Sequence, residues 1–420
     1  VNESLVDDAV SRILRVKFEL GLFDDPYKYC DEVREKAVIG SKANNEGVLD
    51  MAKKSIVLLK NDKNLLPLKK SGQKIALIGA LANDKNSPLG SWRLAADDNS
   101  AVSVLEGMQQ YKGNQLTYEK GAELTIGKTN FVNELVFNTT DKSGFDAAKK
   151  VAESADVVVL VLGENGFQSG ESRSRSNLDL PGVQQELLEE IYKVNPNIVL
   201  VLQNGRPLVI PWAAEHIPAI VEAWHLGTQS GNAIAQVLYG DYNPSGKLPM
   251  TFPRSEGQIP LYYARKNTGR PSTNDPSSVF WSHYMDEKNS PQFPFGFGLS
   301  YAKFEYSPVE LSSNSMNKAG SIRVTLTLKN SSSRAGKEVV QLYIQDLVGS
   351  TTRPTKELKG FQLIELQPNE SKQVTFTLNE KMLQFFTANR KWEAEAGEFK
   401  VFIGTNSAET QEATFQYINE

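Results

Sequence analysis

Cysteine and histidine are nearly missing from this 420-residue chain: Cys30 stands alone, and His216, His225 and His283 are the only imidazoles. One thiol excludes an internal disulfide framework, and so few soft or nitrogen ligands make a clustered metal site unexpected. No apolar stretch reaches the length of a membrane span. The N-terminus opens on a helical pattern rather than on a charged head followed by an apolar run. Neither sign of charge dominates, since 46 Lys and Arg against 50 Asp and Glu give a formal charge of -4. With the two signs interspersed there is no electrostatic footprint for nucleic acid or an anionic membrane, and a neutral small molecule or polysaccharide suits the balance better. The glycine-containing pieces Gly227 to Gly231 and Gly296 with Gly298 match neither a dinucleotide nor a P-loop fingerprint, so no cofactor is expected.

What is present is organised in three stretches, in keeping with the roughly two or three domains that this length predicts. The first opens with a helix over Val1 to Leu20, whose stripe of Val6, Val10, Ile13, Leu14 and Phe18 has no preceding element to pack on. That pattern is expected of the back end of something longer. A second helix is predicted over about Gly40 to Leu59. Strand-like runs then follow at Lys74 to Gly79, Leu116 to Tyr118, Val157 to Leu162, Ile198 to Gln203 and Ala219 to Ala223. They alternate with helical patterns such as Phe145 to Ser154 and Ala233 to Leu238. Alternation of this kind predicts an α/β region with a mostly parallel sheet and helices on both faces. From Asn243 to Ser300 the pattern lapses into a Pro-, Gly-, Ser- and Tyr-rich connector. Beyond it, alternating segments at Ser321 to Leu328, Val339 to Ile344, Lys359 to Ile364, Gln373 to Leu378, Phe399 to Ile403 and Thr414 to Tyr417 predict an all-β sandwich.

The stretch Gly163 to Gly182 concentrates the chemistry. It leaves the apolar run Val157 to Leu162, a strand buried on both faces, and therefore starts at the carboxyl edge of the sheet, where ligands are usually met. Asp179 is a candidate N-cap, with Pro181 in the first turn of the helix that carries Val183, Leu187, Leu188, Ile191 and Val194. Glu171, between Gly170 and Ser172, has the freedom that a general acid needs to approach a ligand, although a solvated loop glutamate is the ordinary reading of such a residue. Glu164, at the strand's end, fits a structural role, bonding backbone N–H groups or an arginine. Arg173 and Arg175 create a tension, because a cation beside a carboxyl lowers its pKa and a proton donor near neutrality needs a raised one. At least one of them is therefore expected on Glu164 or another loop carboxylate, leaving Glu171 to be protonated when a ligand desolvates it. Trp92 and Trp224 could stack on a sugar face, with core or interdomain packing the commoner use of their area. His225 lies at the end of its strand without a serine elbow or a cysteine partner, so no catalytic dyad is indicated.

Several motifs in one order give a resemblance. They are Ala52 to Pro67, Ile75 to Gly79, the Gly163 to Gly182 loop, Asn243 to Phe252 with its Pro-Ser-Gly-Lys-Leu-Pro core, and Pro294 to Tyr301. At these residues the chain resembles the C-terminal part of glycoside hydrolase family 3, the β-glucosidase and β-xylosidase group. The resemblance implies an α/β sandwich followed by a fibronectin type III-like β-sandwich, with Val1 to Tyr27 similar to the last helix and exit of a (β/α)8 barrel. Expected divisions are 1–30 for that exit, 31–70 for a linker with a helix, 71–250 for the α/β sandwich, 251–303 for the connector and 304–420 for the β-sandwich. It further implies a retaining β-glycosidase acting on a β-linked glucoside or related oligosaccharide, and a periplasmic or secreted setting. Glu171 falls at the family's acid/base position, while the nucleophile belongs to a barrel that this chain does not contain. The partner expected is therefore that barrel, with oligomers possible and neither nucleic acid nor membrane involved. A non-catalytic carbohydrate-binding or interaction module is the alternative, and a dehydrogenase-like nucleotide binder lacks its phosphate loop. The two leading readings part at Glu171, because a pure binder has no need of a carboxylic acid on a mobile loop.

Overall fold

The computed structural model describes residues 1–93, 96–271 and 279–418. They fall into two compact units, Val1–Val48 and Leu49–Glu420. In the first, α1 (Glu3–Glu19) is capped by the Asn2 side chain, which accepts the Ser4 N–H, and α2 (Glu32–Val38) by Asp31, which accepts from Val33 and Arg34. Val6, Val10, Ile13, Leu14 and Phe18 are all exposed along α1.

The second unit contains both predicted layers. After α3 (Lys42–Ser55), strands β1 (Val57–Asn61), β2 (Ser71–Ile78), β3 (Gly113–Glu119), β4 (Val157–Gly163), β5 (Ile198–Gln203) and β6 (Ala219–Glu222) form one sheet in the order β1-β6-β5-β4-β2-β3. All pairings are parallel except that of β1 with β6. The continuous apolar runs have a direct cause. Val157, Val159 and Val161 face one core with α4 (Val104–Met108) and α8 (Ser230–Leu238), as do Val199 and Val201 of β5. Val158, Leu160 and Leu162 face a second core with α5 (Phe145–Glu153), α6 (Gln184–Val194) and α7 (Pro211–His216). A strand covered on both sides has no polar face to alternate with, and each such side chain contributes roughly 1.5–3 kcal/mol by its burial. The order reverses at β2, whose neighbours are β3 on one side and β4 on the other. The crevice outside the carboxyl ends of β2 and β4 is thus a topological switch point, and the Gly163 to Gly182 loop begins there.

Two expectations are corrected. The helix expected to reach Leu59 stops at Ser55, and Val57–Asn61 is instead an edge strand pairing antiparallel with β6. Ile56, Val57, Leu58 and Leu59 are all buried, and four consecutive apolar residues fit a buried strand as well as a buried helical turn. Asp179 caps no helix, since α6 begins at Gln184. Its carboxylate accepts the Asn177 side-chain amide, its N–H donates to Asn177 Oδ1, and its carbonyl accepts Arg175. Competition from these local side-chain bonds holds the segment in turns before the helix starts.

The connector lies over this unit, with an antiparallel bridge between Phe252 and Phe293 and a short 3₁₀ turn at Glu256–Gln258. Its residues 272–278 are outside the described set. The β-sandwich then comprises β7 (Phe304–Tyr306), β8 (Glu310–Leu311), β9 (Ser315–Met316), β10 (Ser321–Asn330), β11 (Gly336–Asp346), β12 (Glu357–Leu366), β13 (Ser371–Asn379), a small hairpin of β14 (Phe385–Phe386) and β15 (Trp392–Glu393), β16 (Gly397–Gly404) and β17 (Thr410–Tyr417). One sheet has the order β13-β10-β7 with β8 on β10, the other β12-β11-β16-β17-β9. Inward residues of both, among them Val324, Leu326, Leu342, Ile344, Phe376, Val401 and Phe415, make its core. The seam with the α/β part is polar and closed: Lys247 Nζ donates to Gly298 O at 2.8 Å and to both Glu338 oxygens at 3.1 and 3.2 Å, and Tyr306 OH donates to Glu338 Oε1 at 3.0 Å.

Candidate active site

The loop leaves β4 through Gly163, where φ is 139° and a β-carbon would stand 2.0 Å from the Gln203 carbonyl oxygen, so only glycine fits. Gln184 at the start of α6 clasps this residue, its side chain accepting the Gly163 N–H and donating to the Gly163 carbonyl. Glu164 follows, fully buried, and is the anchor of the site. Its carboxylate is 2.8 Å from Arg175 Nη1 and 3.1 Å from Arg206 Nε, and it accepts the Gly205 N–H at 3.1 Å. Two guanidinium groups and a backbone donor offset the cost of placing this charge where water does not reach.

Further pins hold both flanks. Arg206 Nη2 donates to the Gln168 carbonyl, Arg173 Nη2 to Phe131 O at 2.7 Å, and the Leu178 N–H to the Glu256 carboxylate at 2.7 Å. Arg173 also pairs with Glu134 at 3.3 Å. Between these fixed points lies a tip of four residues, Ser169 to Ser172, with Gly170 at φ 126° and Ser172 at φ 59°. Glu171 is exposed on this tip, and among the described residues it has neither a hydrogen bond nor an ion pair. The structure thus brings Glu164 and Arg175 together, places Arg173 on Phe131 and Glu134, and leaves Glu171 apart from all three. Trp92 stands beside the tip: a β-carbon on Gly170 would be 2.4 Å from Ser91 Oγ and 3.7 Å from Trp92 Nε1. At 62% exposure Trp92 is not in the core of this chain; its ring leans on Phe131, which in turn meets Phe167 edge-on. Trp224 does pack, against Phe252.

Sequence reasoning missed the floor beneath the loop. Asn204, Gly205 and Arg206 follow β5, and Glu222 ends β6 fully buried, accepting the Trp224 N–H at 3.0 Å and the Asn204 amide at 3.1 Å. A lone carboxylate closing the apolar run of β6, and a Gly-Arg pair just past β5, were the available signals, each at the carboxyl edge of a parallel strand. Burial pushes the Glu222 carboxyl well above its ordinary value of 4.5, helped by the Glu164 charge and opposed by the Trp224 and Asn204 bonds. The folded chain therefore keeps a proton that the unfolded chain releases above that value, and stability falls as pH rises toward the folded pKa. Glu222→Gln cannot lose that proton. The melting temperature of the variant relative to the parent chain should therefore improve as pH rises from 5 toward the folded pKa of Glu222; a difference that does not change with pH would mean Glu222 is ionised throughout. Among the described residues no group of His, Cys, Asp or Glu could hold a metal ion.

With this geometry in view, comparison with known proteins is decisive. Residues 56–301 match the glycosyl hydrolase family 3 C-terminal domain, and residues 338–407 match a fibronectin type III-like domain. The chain belongs to glycoside hydrolase family 3. Among its family 3 relatives, a periplasmic β-glucosidase of Salmonella typhimurium is 41% identical over 98% of this chain and 55% of its own length. A β-xylosidase of Formosa agariphila is 38% identical over 96% of this chain and 54% of its own length. The crystal structure of a β-glucosidase from Listeria innocua in complex with isofagomine superposes with a TM-score of 0.89 at 36% identity, over 99% of this chain and 56% of that one. A mutant β-glucosidase from Listeria innocua is known in complex with laminaribiose. The chain thus spans about half the length of the family 3 proteins it matches, and its α/β region followed by a fibronectin type III-like sandwich is the fold the resemblance implied.

Proposed function

We propose that this chain is the C-terminal part of a retaining β-glycoside hydrolase, β-glucosidase-like in substrate class, and that Glu171 is its general acid/base. The observation that carries the reading is the contrast along one loop: Glu164, Arg173, Arg175 and Leu178 are pinned, whereas the Glu171 side chain, exposed on the tip at the sheet's switch point, has no partner among the described residues. A proton donor that must meet a glycosidic oxygen needs that reach, and the exposed Trp92 offers a flat apolar face next to it. Retention requires two carboxyl groups about 5 Å apart, one attacking the anomeric carbon and one protonating the leaving oxygen. This chain supplies the second. The first belongs to the part of the parent protein outside it, the barrel that the family resemblance implies, and a β-linked glucoside or related oligosaccharide lies between them. The names of the relatives support that substrate class.

Glu171→Gln in the intact parent tests the role. Loss of an acid should lower kcat by about 10²–10⁴-fold on glucosides with poor leaving groups. Activated aryl glucosides, whose leaving oxygen needs no proton, should lose far less in the bond-breaking step. Equal losses on the two substrate types would remove Glu171 from the acid role.

A further inference from the structure

The floor beneath the tip contains a side chain that the proposed reaction does not yet use. Chain leaving β6 turns through Trp224, a non-glycine residue at φ 53°, and this left-handed turn is held by the Trp224 N–H bond to Glu222. Backbone held in such a conformation by its surroundings is strained and tends to occur where a side chain must be aimed. Here the residue aimed is His225.

Its β-carbon faces Gly90, and the edge of its ring faces Gly205 beneath the loop. A β-carbon on Gly90 would be 3.8 Å from His225 Cβ, and one on Gly205 would lie 3.3 Å from His225 Cδ2. The same point over Gly205 is 2.0 Å from Ser169 Oγ and 2.6 Å from Ser169 Cβ. The Ser169 hydroxyl and the edge of the imidazole therefore share one small space above the Gly205 α-carbon. Both ring nitrogens are shielded from solvent, and neither has a partner in hydrogen-bonding geometry among the described residues, although the Ser87 backbone and the charges of Glu164 and Asp84 face the ring. Among those residues the Ser169 hydroxyl has no partner either. A buried acceptor left open destabilises the fold, so it calls for a function. Burial also holds the imidazole below the ordinary histidine range, against the opposing pull of Glu164, Ser87 and Asp84, which keeps one nitrogen available as an acceptor at neutral pH.

We propose that His225 is a positioning residue for the acid/base loop, accepting a hydrogen bond from the Ser169 hydroxyl when the tip carries Glu171 to a glycoside. Ser169 is two residues from Glu171 with only Gly170 between them, so fixing the serine fixes the point from which the carboxyl swings. The inference rests on Glu171 being the acid/base and adds how its loop is held in the working position.

The test uses the intact parent with His225→Phe, Ser169→Ala and the double variant. Each is assayed on an alkyl glucoside and on a nitrophenyl glucoside, with thermal melting alongside. One lost hydrogen bond in the working geometry should lower kcat on the alkyl glucoside by about five- to tenfold while the nitrophenyl glucoside is nearly unaffected. The double variant should be no worse than the worse single one, because both remove the same bond. Equal losses on both substrates, no loss, or additive losses would overturn the proposal. Should His225→Phe fail to fold, Ser169→Ala at its partly exposed position decides the matter by the same ratio of substrates. Glu171→Gln run in parallel separates the two claims. If it shows no leaving-group dependence, the acid/base reading fails; if it does and the Ser169 and His225 variants do not, only the positioning role fails.

Discussion

Glu164→Ala is expected to cost about 3–5 kcal/mol of folding stability, the usual consequence of breaking a buried ion pair from one side. The carboxylate is fully buried and serves Arg175, Arg206 and the Gly205 N–H together. Its removal leaves two guanidinium groups, each less than one-fifth exposed, without their counter-charge. Arg175 retains the Asp179 carbonyl and Arg206 the Gln168 carbonyl, so the loop should loosen without the sheet being lost. Chemical denaturation is the measurement, with an unchanged slope showing that the folded and unfolded surfaces are otherwise the same. Amides from Gln168 to Leu178 should exchange faster than those of β4 and β5. Adding Arg175→Met should recover part of the loss, since it removes one of the stranded cations. A loss below 1 kcal/mol would show that Glu164 is no anchor.

Lys247→Met is expected to have an effect of similar size at the seam between the α/β part and the sandwich, but one that depends on pH. Glu338 is almost wholly buried, and burial raises its carboxyl above the ordinary 4.5, opposed by the Lys247 charge and by hydrogen bonds from Lys247 and Tyr306. Without Lys247 only the Tyr306 hydroxyl remains to hold the charge, and the carboxyl rises further. The folded variant then binds a proton that the unfolded chain gives up above 4.5, so its stability declines with rising pH more steeply than that of the parent chain. The loss should be about 3–5 kcal/mol at pH 8 and clearly smaller at pH 5, where Glu338 is protonated in the folded variant and the unfolded carboxyl, close to its ordinary 4.5, gains little by ionising. Stability curves at the two pH values check this. An equal loss at both would mean that no stranded charge is involved.

How far the sequence could be read depended on how many faces an element buries. β4 and β5, apolar without interruption, could only be covered on both sides, and the period-two strands of the sandwich could only be covered on one. Both patterns are visible because side-chain direction along a strand is fixed. Val57–Asn61 was hidden because Ile56 to Leu59 bury every side chain, a property that helix and strand share. Asp179 misled for a different reason: side-chain and carbonyl bonds with Asn177 and Arg175 occupied the groups that a cap would have used. The loop's chemistry was legible because its residues are contiguous. Glu222, Arg206 and His225 come from the ends of other strands, and only folding brings them beneath Ser169 and Glu164. A floor assembled from the ends of two strands shows in the sequence only as single polar residues closing apolar runs.

The edge strand β1 has a consequence for where the polypeptide tolerates cutting. Its outer side is bridged by Leu299, whose N–H donates to the Leu58 carbonyl at 2.8 Å, so that border of the sheet offers no free ladder to a stray strand. The opposite border is β3, which alternates exposed Gln115 and Thr117 with half-buried Leu116 and Tyr118 and so presents a polar rim. Removing the chain ahead of Leu49 leaves both borders protected, whereas removing it through Asn61 takes away β1 and opens the edge of β6 to pairing with a stray strand.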